Sequence, residues 1–158
     1  MATPQVWDEL AEAWFRLRRH TRFPRELGEM ARRWGGGRLL NIGCGHGADF
    51  LPFREGFELW GGDFSRRLLG LGQRHQQQHG FQAALVQAEA VRLPFEENSF
   101  QWAIAVAIYH HIQGESARAR AWGELYRVLR PGGEAFITVW NRGQPRVWLR
   151  GREVWVPW

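Results

Sequence analysis

"LLNIGCGHGADF", residues 39–50, decides the fold. "RLLNI" (38–42) reads as a short apolar strand, and it breaks into Gly43, Gly45 and Gly47 at alternate positions. Glycine accepts the left-handed backbone of a tight turn and lets that turn approach a ligand without a Cβ collision. A helical piece over "ADFLPFRE" (48–55) would then turn free N–H groups toward an anionic or carboxylate-bearing ligand. The pattern alone is not specific. Gly43, Gly45 and Ala48 also satisfy the dinucleotide fingerprint G-x-G-x-x-G/A, and a bare tight turn would use the same residues.

Upstream, Thr3 can cap a helix with Pro4 in its first turn, and Trp7, Leu10, Trp14 and Leu17 recur at helical spacing. A second helix is expected from Pro24 to Trp34, with Leu27, Ala31 and Trp34 inward and Gly35 to Gly37 ending it. Downstream, "FELWGGDF" (57–64), "FQAALVQAE" (81–89), "FQWAIAVAIY" (100–109) and "GEAFITVW" (133–140) read as further strands. Between them lie "SRRLLGLGQRHQQQHG" (65–80), opened by Ser65, and "ESARARAWGELYRVLRPGG" (115–133), stopped by Pro131. Strands alternating with helices predict βαβ units, right-handed crossovers and a Rossmann-like parallel sheet with helices on both faces, an α/β fold. The expected layout is one domain over 1–158, made of a helical arm (1–37), a core (38–140) and a tryptophan-rich hairpin (141–158) turned at Arg150 and Gly151.

A chain of 158 residues, 44% hydrophobic, can bury one sizeable core. No stretch approaches the roughly 18 apolar residues of a membrane span, and "MATPQVWDELAEAW" lacks the basic-then-apolar order of a secretory signal, so a cytoplasmic protein without membrane contact is expected. Cys44 is the single cysteine, which excludes an internal disulfide framework and a multi-thiolate metal site; no metal is expected. The formal charge is +5, all 21 basic residues are arginine, and eight lie between Arg16 and Arg38. Arginine forks suit phosphates, so RNA is a natural partner; a solvated, lysine-avoiding surface would look the same on charge alone. Of ten tryptophans, Trp140, Trp148, Trp155 and Trp158 crowd the C-terminal end, suited to packing or to stacking on bases.

In open α/β sheets ligands gather outside the carboxyl ends of the strands. Those ends carry Gly43 to Gly47, Asp63, Glu89, Tyr109 to His111, and Trp140 with Asn141. Asp63 stands twenty positions beyond Gly43, where a carboxylate can accept bonds from both hydroxyls of a ribose. Together they describe a site for a nucleoside-containing cofactor.

"LLNIGCGHG", "GGDFS", "AEAVRLPFEENSFQWAIAV" and "ELYRVLRPGGEAFITVW" resemble, in order and spacing, the motif series of class I S-adenosylmethionine-dependent methyltransferases. The resemblance implies S-adenosylmethionine as cofactor, with Gly43, Gly45 and Gly47 along its methionine part, Asp63 on its ribose and Glu89 on its adenine amino group. Asn41, Cys44, Phe64, Ala90, Ala107 and Tyr109 complete the implied cofactor-binding set. Two positions depart from the family: Asn41 stands where an acid is usual, and Glu89 where aspartate is. Asn41 lacks the charge that would orient the cofactor's ammonium.

"HTRFP" (20–24), "AIYHHI" (107–112), "TVWNRGQP" (138–145) and "VWVPW" (154–158) are similar to the tRNA wobble-uridine carboxymethyl methyltransferases. That likeness implies esterification of a carboxymethyl group on the wobble uridine of tRNA, with Arg22 holding the substrate carboxylate and His110 or His111 orienting uracil or carboxylate. Asn141 and Gln144 would read polar edges of the substrate or serve the turn at Pro145. The likeness also implies a small zinc-binding activator subunit extending the sheet at the third strand. The chain stops short of the family's last strands, so the hairpin, a second copy in a homodimer, or a partner is expected to cover the fifth strand. Two alternatives stay open: a small-metabolite methyltransferase, and a catalytically silent cofactor-binding subunit.

Overall fold

The computed structural model describes residues 3–139. Strands β1 (Gly37–Ile42), β2 (Phe57–Asp63), β3 (Ala83–Gln87), β4 (Phe100–Val106) and β5 (Leu129–Thr138) pair in parallel in the order β3-β2-β1-β4-β5. The chain therefore lays strands on one side of β1, then crosses to the other. The crevice between the ends of β1 and β4 is the topological switch point where such sheets hold ligands.

Side chains alternate across the strands and so define two cores. Leu39, Leu59, Ile104 and Val106 pack with Leu27 and Trp34 of α2 (Pro24–Trp34), Phe50 and Phe53 of a 3-10 turn (Ala48–Phe53), and Leu69 of α3 (Arg66–His79). Leu40, Ile42, Ala103 and Ala105 face the other way, onto Ala121, Leu125 and Val128 of α4 (Glu115–Val128). Helices cover both faces, as expected. The first helix, α1 (Pro4–Leu17), stands outside these layers and packs Ala11 and Phe15 on Leu68 and Leu71 of α3.

One polar clasp fixes α1. Ser65 caps α3 by accepting from the Leu68 N–H at 3.1 Å, and its hydroxyl donates to Asp8 on α1 at 2.5 Å. Asp8 also accepts from the Arg67 N–H at 3.1 Å, so a carboxylate from α1 shares the N-cap of α3.

Three expected elements differ. Residues 48–55 do not form an α-helix: Pro52 lies inside and supplies no N–H, leaving a short 3-10 turn. α4 ends at Val128, not at Pro131, because Leu129 is already extended (φ −77°, ψ 138°). "RPGG" belongs to β5, where the chain advances from Leu129 to Glu134 while β4 advances from Phe100 to Trp102, a bulge that accommodates Pro131. β4 stops at Val106, because Ala107 turns left-handed (φ +60°) and opens a second 3-10 turn, Tyr109–His111. The expected hairpin over 141–158, with Trp140, Asn141 and Gln144, lies outside the described residues.

Candidate active site

Between β1 and the first 3-10 turn, Gly43, Gly45 and Gly47 take φ of +68°, +55° and +88°, which side chains resist. The N–H groups of Gly43 and Cys44 both donate to the Gly62 carbonyl, at 2.7 and 3.1 Å, so the loop is pinned to β2. A Cβ on Gly43 would stand 2.2 Å from Ile108 Cδ1. Ile108, from the far side of the crevice, thus fills the space that glycine leaves. Cys44 does not face a ligand: it is buried against Gly61 and Phe50, and burial pushes its thiol well up.

Asp63 ends β2 and is 5% exposed. Its carboxylate accepts from the Gly45 N–H at 2.8 Å and from the Ser65 N–H at 2.9 Å. Burial raises its pKa, while those two donors pull it down. A carboxylate offers about four acceptor positions, so two remain for a pair of ribose hydroxyls. Phe64 follows, half-buried, its carbonyl taken by the Gln87 amide at 3.1 Å.

Beneath the loop, Asn41 is fully buried, and neither polar atom of its carboxamide has a partner among the described residues. A buried amide left so is costly, which makes it the strongest local sign of a missing polar ligand or water. An amide can both donate to a ligand carboxylate and accept from an ammonium. The site therefore fits an amino-acid-bearing nucleoside despite the lost charge.

The other half of the rim is looser. Glu89 is exposed after β3, in a lone bridge with Arg92, and Ala90 packs against the α4-side core. The Ala107 N–H donates to the Thr138 hydroxyl at 2.9 Å. Tyr109 is 2% exposed, stacks on Trp122 at 4.2 Å and donates its hydroxyl to the Ala121 carbonyl at 3.2 Å. Burial pushes it up to about 12, so it anchors the turn to α4 and presents no phenol to the crevice. His110 and His111 lie ring to ring at 4.2 Å; burial lowers both, His110 to about 4, so both are neutral at pH 7.

α1 roofs part of this rim. Trp14 Nε1 lies 4.0 Å from where a Cβ on Gly45 would stand, and Trp7 meets His111 edge-on at 6.3 Å. Arg22 is exposed in the segment joining α1 to α2. Its neighbour Thr21 binds Asp49, the buried carboxyl just past the glycine loop, whose pKa burial raises and Thr21 and Arg18 lower. The structure thus unites Asn41, the glycines, Asp63 and the histidine turn, and leaves Arg22 and Glu89 at the margin. Asp8, Trp14, Asp49 and Ile108 complete the site. Asp49 follows the loop directly in sequence, whereas only long-range packing brings Asp8, Trp14 and Ile108 there, and no local spacing signals them.

The model of the methyltransferase domain family matches residues 39–133. The mouse tRNA (carboxymethyluridine(34)-5-O)-methyltransferase ALKBH8 is 33% identical over 155 residues, covering 95% of this chain and 22% of that protein. The Arabidopsis thaliana tRNA (carboxymethyluridine(34)-5-O)-methyltransferase is 31% identical over 140 residues, covering 89% and 33%. The chain spans about a fifth to a third of the length of these curated relatives. A crystal structure of a SAM-dependent methyltransferase of Thermotoga maritima superimposes with TM-score 0.69 at 21% identity, over 93% of this chain and 66% of that one. The family match, joined to a rim that fits an amino-acid-bearing nucleoside, makes S-adenosylmethionine the cofactor. The sheet order, the left-handed glycine loop tied to Asp63 and the match over 39–133 lead to one conclusion: the chain belongs to the methyltransferase domain family.

Proposed function

We propose that this domain methylates the carboxylate of a carboxymethyl group on the wobble uridine of a tRNA. The observation that carries the RNA part is that α1 approaches the glycine loop through Trp14, so the arginine-bearing segment at its end, residues 16–25, runs beside the rim. The two curated relatives, whose names specify that reaction, support it.

When bound, S-adenosylmethionine would supply an electrophilic methyl on its sulfonium to a carboxylate oxygen and leave as a neutral thioether, with no proton transfer required. The Asn41 amide would hold the amino-acid end over the glycine loop, Asp63 would hold the ribose, and Glu89 would reach the adenine amino group. A carboxylate nucleophile needs no general base, only desolvation and alignment, and alignment supplies about 7–11 kcal/mol of barrier reduction. His110 and His111, neutral at pH 7, can hydrogen-bond uracil without competing for the carboxylate as cations. Arg22 holds the substrate carboxylate by swinging over the rim from its margin. Arg22→Ala is expected to lower kcat/KM for tRNA by about 10- to 100-fold, the worth of one charge-assisted hydrogen bond, with cofactor binding unchanged.

Among the described residues no helix is long and apolar enough to cross a membrane, and we assign the domain to the cytoplasm. β3 and β5 are the edges of the described sheet. β3 is where a small zinc-binding activator would extend it, and β5 is where a second copy would pair.

Radiolabelled methyl transfer to bulk tRNA against a small-metabolite extract tests the proposal. Label in tRNA that mild alkali releases as methanol is the expected result, since a methyl ester is alkali-labile. Label in the metabolite fraction alone overturns the RNA assignment, and cofactor binding without any transfer assigns a silent subunit.

A further inference from the structure

Two stretches without a carboxylate meet beside α1. Residues 13–25 carry Arg16, Arg18, Arg19, Arg22 and Arg25, residues 64–88 carry Arg66, Arg67 and Arg74, and neither stretch contains Asp or Glu. Where the end of α1 passes the C-terminal half of α3, a cavity of about 370 Å³ opens between Phe15, Arg19, His20, His75, Gln78 and His79. Its walls are rings: His75 lies 4.3 Å from His79 and 6.2 Å, edge-on, from Phe15. His46 of the glycine loop packs behind, against both Phe15 and His75.

His75 is 1% exposed, yet its Nε2 has no hydrogen-bond partner among the described residues. Burial, then the charges of His46, His79 and His20, lower its pKa to about 4. A buried neutral imidazole nitrogen without a partner costs stability until a ligand meets it. That ligand is not a metal ion, since among the described residues no group of three or more His, Cys, Asp or Glu could hold one. Glu12 lies 3.9 Å from Arg74, whose guanidinium lies over Phe15, and among the described residues no carboxylate lines the cavity itself.

We propose that this cavity receives an unpaired nucleotide of the RNA substrate other than the one methylated. Its phosphate meets Arg19 and its base lies against the rings of Phe15 and His79, with the Gln78 amide at the base edge. Arginine with aromatic walls is the chemistry of nucleotide stacking. An acidic peptide would use the arginines and leave the ring walls unanswered. This site rests on the tRNA reading above.

The test uses the full chain and a fluorescent anticodon stem-loop RNA whose wobble uridine carries a carboxymethyl group. Arg19→Ala with His79→Ala is expected to weaken RNA binding about 10-fold and reduce the slope of log K against log salt by about 1. Gln78→Glu, a separate exposed change, weakens it by repulsion. In all variants the melting temperature and the affinity for S-adenosylhomocysteine stay at the wild-type level. Wild-type RNA affinity and salt slope in these variants overturn the site while leaving the tRNA reading intact. No RNA binding by the wild type overturns both. Displacement by polyglutamate as effective as by unlabelled RNA of equal charge assigns the surface to acidic peptides and overturns the nucleotide.

Discussion

At the ends of β1 and β2, Gly43, Cys44, Gly45 and Ser65 all point backbone N–H groups at acceptors on β2, two of them at the Asp63 carboxylate. At the ends of β3 and β4, Glu89 is exposed, Ala107 is left-handed, and Tyr109 is held by α4 rather than by its neighbours in the rim. One half of the site is formed before any ligand arrives, held by short backbone bonds between adjacent strands. The other half takes its shape from helices packed against it. On the proposed function, the preformed half would hold the cofactor and the packed half would select the acceptor.

The sharpest way to break the comparison is Asp63→Ala. It removes the acceptor of two backbone donors and, on the proposed function, the clasp on the ribose. Calorimetry with S-adenosylhomocysteine is expected to show at least about 100-fold weaker binding, with stability lowered by about 2 kcal/mol. A loop that still binds normally would mean the carboxylate is only a tether.

Next comes pH. His46 and His75 are held at about 4 in the folded chain by burial, against 6.5 for a free imidazole. Between those values the unfolded chain binds more protons, so their contribution is complete above about 6.5 and is lost as pH falls toward 4. Thermal melts across that window should show falling stability, and His75→Phe should flatten the fall. Asp8 adds to acid lability lower down. Hydrogen bonds from Ser65 and Arg67 lower its pKa, so its clasp is present above the ordinary carboxylate value and is lost as pH falls through the lowered one. Asp8→Ala is expected to cost a few degrees of melting temperature and expose α1 to limited proteolysis, while β4-side spectroscopic probes at Trp122 stay unchanged.

The smallest effect belongs to the packed half. Ala107→Gly relieves a left-handed alanine and is expected to stabilise by up to about 1 kcal/mol in urea unfolding, offset in part by glycine's greater unfolded freedom.

The same division explains what was legible in the sequence. The loop glycines and Asp63 announce themselves by spacing, because adjacent parallel strands fix their separation along the chain. Strand alternation gave both cores, as Leu39 against Leu40 and Ile104 against Ala103 show. Cys44 is misleading because its place in the motif does not reveal that it turns into the core. For Tyr109 the motif shows the position but not the partner, since its hydroxyl is claimed by Ala121, twelve residues on. The 3-10 turn at Pro52 and the bulge at Pro131 show proline chemistry that a helical pattern alone hides. Asp8 and Ile108 gave no local sign, since each acts on a residue more than fifty positions away.

A crystal structure with S-adenosylhomocysteine tests the central claim most directly. The account predicts the ribose hydroxyls on the Asp63 carboxylate, the amino-acid end over Gly43 to Gly47 within reach of the Asn41 amide, and the adenine toward Glu89. A nucleoside bound elsewhere, or a rim kept sealed by Trp14 and Ile108 at saturating ligand, would contradict it.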